Sequence, residues 1–196
     1  TLFRSVSNTD KITFVDAVAS GFRKATRFSG TSTRPEFWYW WLFTVLIQLV
    51  SSTADAFLYP EDLTATFDTN DLTALADTMT TQVQHSLASI STVTTVLLLL
   101  PTVAVTVRRF RDAAWKPWLA VASYATLYGG LALSLVFLLS TLPVLVEFGA
   151  GTTGDEAASV FTNLGLAYLA VCLQFGALLI IVIGACQPTR PGQRTA

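Results

Sequence analysis

Six charged side chains are spaced so that opposite charges can meet at one depth of a folded chain: Arg34, Glu36, Arg108, Arg109, Arg111 and Asp112. Arginine and carboxylate brought together support three kinds of chemistry. They can form ion pairs that lock helices, a partly desolvated fork being stronger than an exposed pair worth ~0–1 kcal/mol. Arginines left over can hold lipid headgroups or a partner protein. A carboxylate left free of arginine could move protons, so the catalytic reading requires Glu36 or Asp112 to be unpaired.

Other reactive groups are sparse. His85 is the one histidine and has no second histidine for a haem. Cys172 and Cys186 lack CxxC or His/Cys spacing, so neither a disulfide framework nor a metal site is expected. Asp68, Asn70 and Asp71 lack the regular spacing of a calcium loop. No Gly-rich phosphate loop, Ser/His/Asp set or HExxH occurs. The expectation is no cofactor, no metal, no catalytic residue and no nucleic-acid partner.

The elements that must position the six charges follow from hydropathy. Apolar residues make up 52% of the 196-residue chain and charged residues 13%, about half the ~25% usual in soluble domains. Four apolar runs, about 37–54, 87–107, 117–142 and 158–185, are near or above the ~20 residues that cross a bilayer. No Lys, Arg, Asp or Glu lies in their central parts. A soluble bundle would have to hide the runs 97–100 and 178–183, which have no amphipathic pattern. The expected fold is an all-α membrane protein, a four-transmembrane-helix bundle.

Charge orients it. All 12 basic residues fall before the first run, between the second and third, or after the fourth, together with four acidic ones. The two other connections hold the remaining nine of the 13 acidic residues and no basic one. Lys and Arg stay on the cytoplasmic side during insertion, so both termini are expected there. No signal peptide is expected, because the first 30 residues lack an apolar run with a cleavage site. The start at Thr1 rather than Met is expected to reflect processing or trimming.

Residues 12–28 place Phe14, Val18, Phe22 and Ala25 at helical spacing. They read as an amphipathic helix, lying in the membrane interface or packed under the bundle. Trp38, Trp40 and Trp41, within five consecutive aromatics, and Trp115 and Trp118 read as interface anchors. The acidic external loop 55–86 contains a helix capped by Asn70 or Asp71, with Leu72, Leu75, Met79 and Val83 as its stripe, leading into the second span. Pro143 is expected to end or kink the third helix. Gly129, Gly130 and Ser134, and similarly Gly165 and Gly176, offer places where another helix can come close. Gln48, Gln174, Tyr124 and Tyr128 suit hydrogen bonds between spans.

Phe28-Ser29-Gly30, then Arg34, Glu36, Phe37 and Trp38, resembles the F-x-G-R-x-x-R-x-E-[FY]-W signature of small bacterial inner-membrane proteins labelled domain of unknown function 805. Arg108-Arg109-Phe110-Arg111-Asp112, with Trp115 and Trp118 after it, is similar to that family's second signature, R-R-L-H-D followed by tryptophan. The resemblance covers about residues 10–140. Thr31 stands where the family has arginine, and Arg111 where it has histidine. The 187–192 tail shortens the family's Pro/Gly/Asn-rich ending. The resemblance implies a membrane bundle with a paired Arg/Glu/Asp layer on the cytoplasmic side, and it implies no activity.

Three functions remain open at this point. One is a non-catalytic accessory or assembly subunit of a larger membrane complex, with a respiratory complex as one candidate; its partners are other subunits and anionic lipid headgroups. The second is a small-molecule or lipid transporter or channel component. An ion-coupled one is disfavoured, because ionisable groups inside spans are the usual pointers. The third is an enzyme at the arginine layer.

Overall fold

The computed structural model describes residues 12–60, 72–149 and 154–189. Six helices occupy them, with no strand among the described residues: α1 Phe14–Arg23, α2 Arg34–Leu58, α3 Leu72–Ala88, α4 Ile90–Asp112, α5 Pro117–Gly149 and α6 Gly154–Cys186. Four of these, α2, α4, α5 and α6, are long and apolar enough to cross a membrane. The Asn70 or Asp71 cap, Asp68 and the tail from Arg190 lie outside the described residues.

Capping chemistry sets where the helices begin. Thr33 is extended, and its hydroxyl accepts the Glu36 N–H at 3.4 Å, with Pro35 in the first turn. This Thr-x-x-Glu start with an early proline begins α2 at Arg34, three residues before the apolar run. The same device starts α1: Thr13 accepts from the Asp16 N–H at 3.2 Å. That helix stops at Arg23, so Ala25 lies in the turn beyond it.

The second span and the helix before it are not continuous. Ser89 is extended, and its hydroxyl accepts the Thr92 N–H at 3.2 Å. Asp55, at the end of α2, accepts the Ile90 and Ser91 N–H groups at 2.7 and 2.9 Å. Two caps therefore satisfy the exposed amides of α4. Pro143 does not end α5, which continues to Gly149. A proline is tolerated inside a long spanning helix where neighbouring helices support the freed backbone, and α5 packs extensively on α6.

Packing is concentrated at the basic end. Phe37, Trp40, Val105, Ile181 and Ala185 form one buried cluster, and Val107, Phe110 and Ala120 another, with Trp115 against it. The rest of the bundle exposes Leu49, Val96, Leu97, Phe175 and Leu179, as lipid-facing surfaces do. Helix α2 packs on α4 and α1 but scarcely touches α6.

Two sets of packing residues need correction. Trp40 is not an anchor at the interface: it is 1% exposed, with its indole N–H on Thr102 Oγ1 at 3.1 Å. Of the two glycines in the small-residue patch only Gly130 meets another helix, at the Gln174 side chain and the Ala170 carbonyl. A Cβ at Gly129, Gly165 or Gly176 would meet nothing, and Ser134 Oγ bonds within its own helix to the Leu131 carbonyl at 2.9 Å. The close approaches are at Gly21, against the Trp40 ring, and Gly184, against the Phe110 ring. Their partners are far away in sequence, so no local pattern points to them.

Candidate functional site: a buried arginine–carboxylate layer

The first turn of α2 and the last turn of α4 lie side by side, which brings the six charges together. Arg108 (1% exposed) lies 3.6 Å from Glu36 (6%), Nη1 to Oε1. Ser20 of α1 donates to the same Glu36 oxygen at 2.7 Å, so one carboxylate ties three helices. Arg108 Nε donates to the Ala104 carbonyl at 3.3 Å, while Nη1 and Nη2 donate to no described residue.

The second pair is intrahelical. Arg109 Nη1 contacts Asp112 Oδ2 one turn on, and Thr189 Oγ1 donates to that oxygen at 2.6 Å. Arg109 Nε reaches the Ala185 carbonyl at 3.0 Å and Nη2 the Gln187 carbonyl. Arg34 Nε and Nη2 reach the Gln187 and Cys186 carbonyls at 3.0 and 2.8 Å. The carbonyls at the end of α6, which have no partner within the helix, are thus capped by two arginines from other helices. Arg111 Nη1 donates to the Phe28 carbonyl in the α1–α2 connection.

The turn after α4 holds this geometry. The Ala114 N–H bonds to the Arg111 carbonyl at 2.9 Å and the Trp115 N–H to the Phe110 carbonyl at 2.8 Å, with Ala114 at φ 58°. The Phe110 and Trp115 rings meet edge to face, 5.5 Å apart. This is a Schellman motif with alanine where glycine is usual. Ala114→Gly is therefore expected to stabilise the protein by about 1 kcal/mol, through relief of left-handed strain. Thermal unfolding in detergent checks it, and a lower midpoint would show that the turn is not under strain.

The aromatic residues divide. Trp41 and Trp118 are exposed, and Trp38 lies edge-on to Phe37 and Trp41. Trp115 packs under the bundle on Phe110. Between α2, α4, α5 and α6 runs an apolar groove of about 510 Å³, with Phe37 and Trp38 near one end and Gln48, Thr95 and Tyr128 deeper. Gln48 Nε2 donates to the Ser91 carbonyl and Thr95 Oγ1 at 3.2 and 3.0 Å, and Tyr124 and Thr106 share a hydrogen bond at 3.1 Å. His85 stacks on Tyr59 at 5.3 Å. No group of three His, Cys, Asp or Glu able to hold a metal occurs among the described residues.

Sequence reasoning missed Ser20, Thr189 and the Ala185 and Gln187 carbonyls as members of the layer. A main-chain acceptor leaves no sequence signal. Ser20 could have been found, because it lies one turn after Ala17 and beside Gly21 on the face of α1 that packs inward.

Four apolar helices fastened at one end by buried arginine–carboxylate pairs define a multi-pass helical membrane protein. A family model described as Protein of unknown function (DUF805) matches residues 25–195, and the chain belongs to that family. Neither the curated proteins nor the solved structures hold a match to it. The two signature segments meet: Glu36 of the first with Arg108 of the second, and Phe28 of the first with Arg111. Arg111 serves as a donor to main chain.

Proposed function

We propose that this protein is a non-catalytic accessory or assembly subunit of a larger membrane complex, with both termini on the cytoplasmic side of a bacterial inner membrane. The observation that carries the reading is the commitment of the layer to structure. Glu36 is held by Arg108 and Ser20, and Asp112 by Arg109 and Thr189. An acid or base needs a carboxylate able to exchange its proton with substrate; here Glu36 is engaged in joining three helices, and Asp112 in holding Arg109 and the segment after α6. The placement of all 12 basic residues on one side of the spans supports the orientation. In that orientation α1, with Arg23 and Lys24 exposed, lies at the inner headgroup level. The exposed apolar faces of α4 and α6 then supply area for other subunits.

Affinity purification from native membranes in mild detergent, with identification of companions, tests the reading. Recovery of one reproducible set of membrane subunits is expected, and its loss after charge insertion on an exposed face (Leu97→Arg or Phe175→Arg). A chain recovered alone under every mild condition sinks the proposal. A second reading, a lipid-handling component, draws on the groove beside the layer. It predicts transbilayer lipid movement in vesicles containing the purified protein.

A further inference from the structure

We infer that the groove between α2 and α6 is a binding site for one anionic phospholipid, with one acyl chain inside it and the phosphate at Arg34. The inference rests on the chain crossing a bilayer and not on its having partner subunits. The groove opens sideways where α2 and α6 scarcely touch, and its rim residues Trp41, Val45 and Val182 are exposed. Phe37 and Gln48 mark its ends on α2. Eleven residues at 1.5 Å each make about 16 Å, roughly half of a ~30 Å hydrocarbon core. The groove is therefore as deep as one leaflet.

Depth and lining select the occupant. The slot is one leaflet deep, is lined mostly by apolar side chains, and has an exposed rim at Trp41, Val45 and Val182. A single acyl chain needs only a narrow slot, and the second chain can stay in the bilayer. The walls ask for little hydrogen bonding, because Gln48 Nε2 and the Tyr124 hydroxyl already have partners.

Charge selects the headgroup. Arg34 lies on the same α2 stripe as Trp38, Trp41, Val45 and Gln48, at the three- and four-residue steps that align side chains on a helix. It is exposed, and two of its nitrogens are fixed on the Gln187 and Cys186 carbonyls. No described carboxylate pairs with it, since Glu36 and Asp112 are taken by Arg108 and Arg109. A guanidinium held in place, with Nη1 free of hydrogen bonds to described residues and its charge unbalanced, suits a phosphate at the mouth of an acyl slot.

Native mass spectrometry of the full chain in mild detergent, titrated with phosphatidylglycerol or phosphatidylcholine of equal chain length, tests this. One phosphatidylglycerol adduct is expected, preferred roughly tenfold. Arg34→Gln should abolish the preference, and Val45→Trp, which fills the slot, should weaken both lipids. If Val45→Trp fails to fold, Arg34→Gln decides alone, with thermal unfolding as its control. A preference that survives Arg34→Gln overturns the inference, and so does glycerol phosphate binding as tightly as the lipid. Companion subunits without lipid selectivity would also overturn it, while leaving the subunit reading intact.

Discussion

Glu36→Gln is expected to destabilise the protein by about 3–5 kcal/mol, the cost of stranding one charge of a buried pair. Arg108 is 1% exposed and Glu36 supplies its balancing charge at 3.6 Å. Glutamine keeps the shape and can still accept from Ser20, so the loss isolates charge from volume. Arg108→Met in the Glu36→Gln background should recover much of the stability, because an apolar pair strands no charge. The four-member cycle, read by denaturant unfolding in detergent, gives the coupling directly. A cost below about 1 kcal/mol, the level of exposed pairs, would mean that the layer is solvated and does not fasten the bundle.

The size of that effect follows from where the helices are joined. Inside a bilayer lipid is as apolar as leucine, so burial alone gives spanning helices little reason to associate. Away from the basic end the described residues offer few specific ties: Gln48 to α4, Ser51 to Thr94 at 3.1 Å, Asp55 on the start of α4, and Asn163 of α6 on Ser140 of α5 at 3.4 Å. Helix α6 is tied to α4 and α2 by Arg109 and Arg34 on its last carbonyls, beside the buried contacts of Ile181, Gly184 and Ala185. The layer thus acts as a clasp at one end of helices whose outer faces remain free.

The spans were legible because hydrocarbon imposes a composition, and the layer because two charged segments had to lie at one depth. The helix starts were also written in the sequence. Thr33-x-x-Glu36 with Pro35, and Ser89 three residues before Thr92, are capping patterns, but hydropathy alone placed the starts at Phe37 and Leu87. Trp40 was misread because a belt argument counts aromatics without asking which face they occupy. Helical spacing puts Phe37 and Trp40 on one side and Trp38 and Trp41 on another, and only the first pair is buried. Gly21 and Gly184 were illegible for a deeper reason: each matters through a ring 19 or 74 positions away in the chain, Trp40 or Phe110.

Trp40→Ala is the second large effect, about 3–5 kcal/mol for removing a fully buried large aromatic. Its ring fills the space that Gly21 leaves open, meets Phe22 edge-on at 5.2 Å, and bonds Thr102 through its N–H. Removing it takes away the surface on which α1 rests, so amide exchange across residues 14–23 should accelerate before that of α2. Gly21→Leu should release α1 from the other side, since its side chain would run into the indole. Combining the two should cost less than their sum, because the leucine then occupies the vacated volume. Trp41→Ala is the control: that ring is 48% exposed, and its loss should change stability little. Equal effects from Trp40→Ala and Trp41→Ala would mean that both rings serve as interface anchors after all.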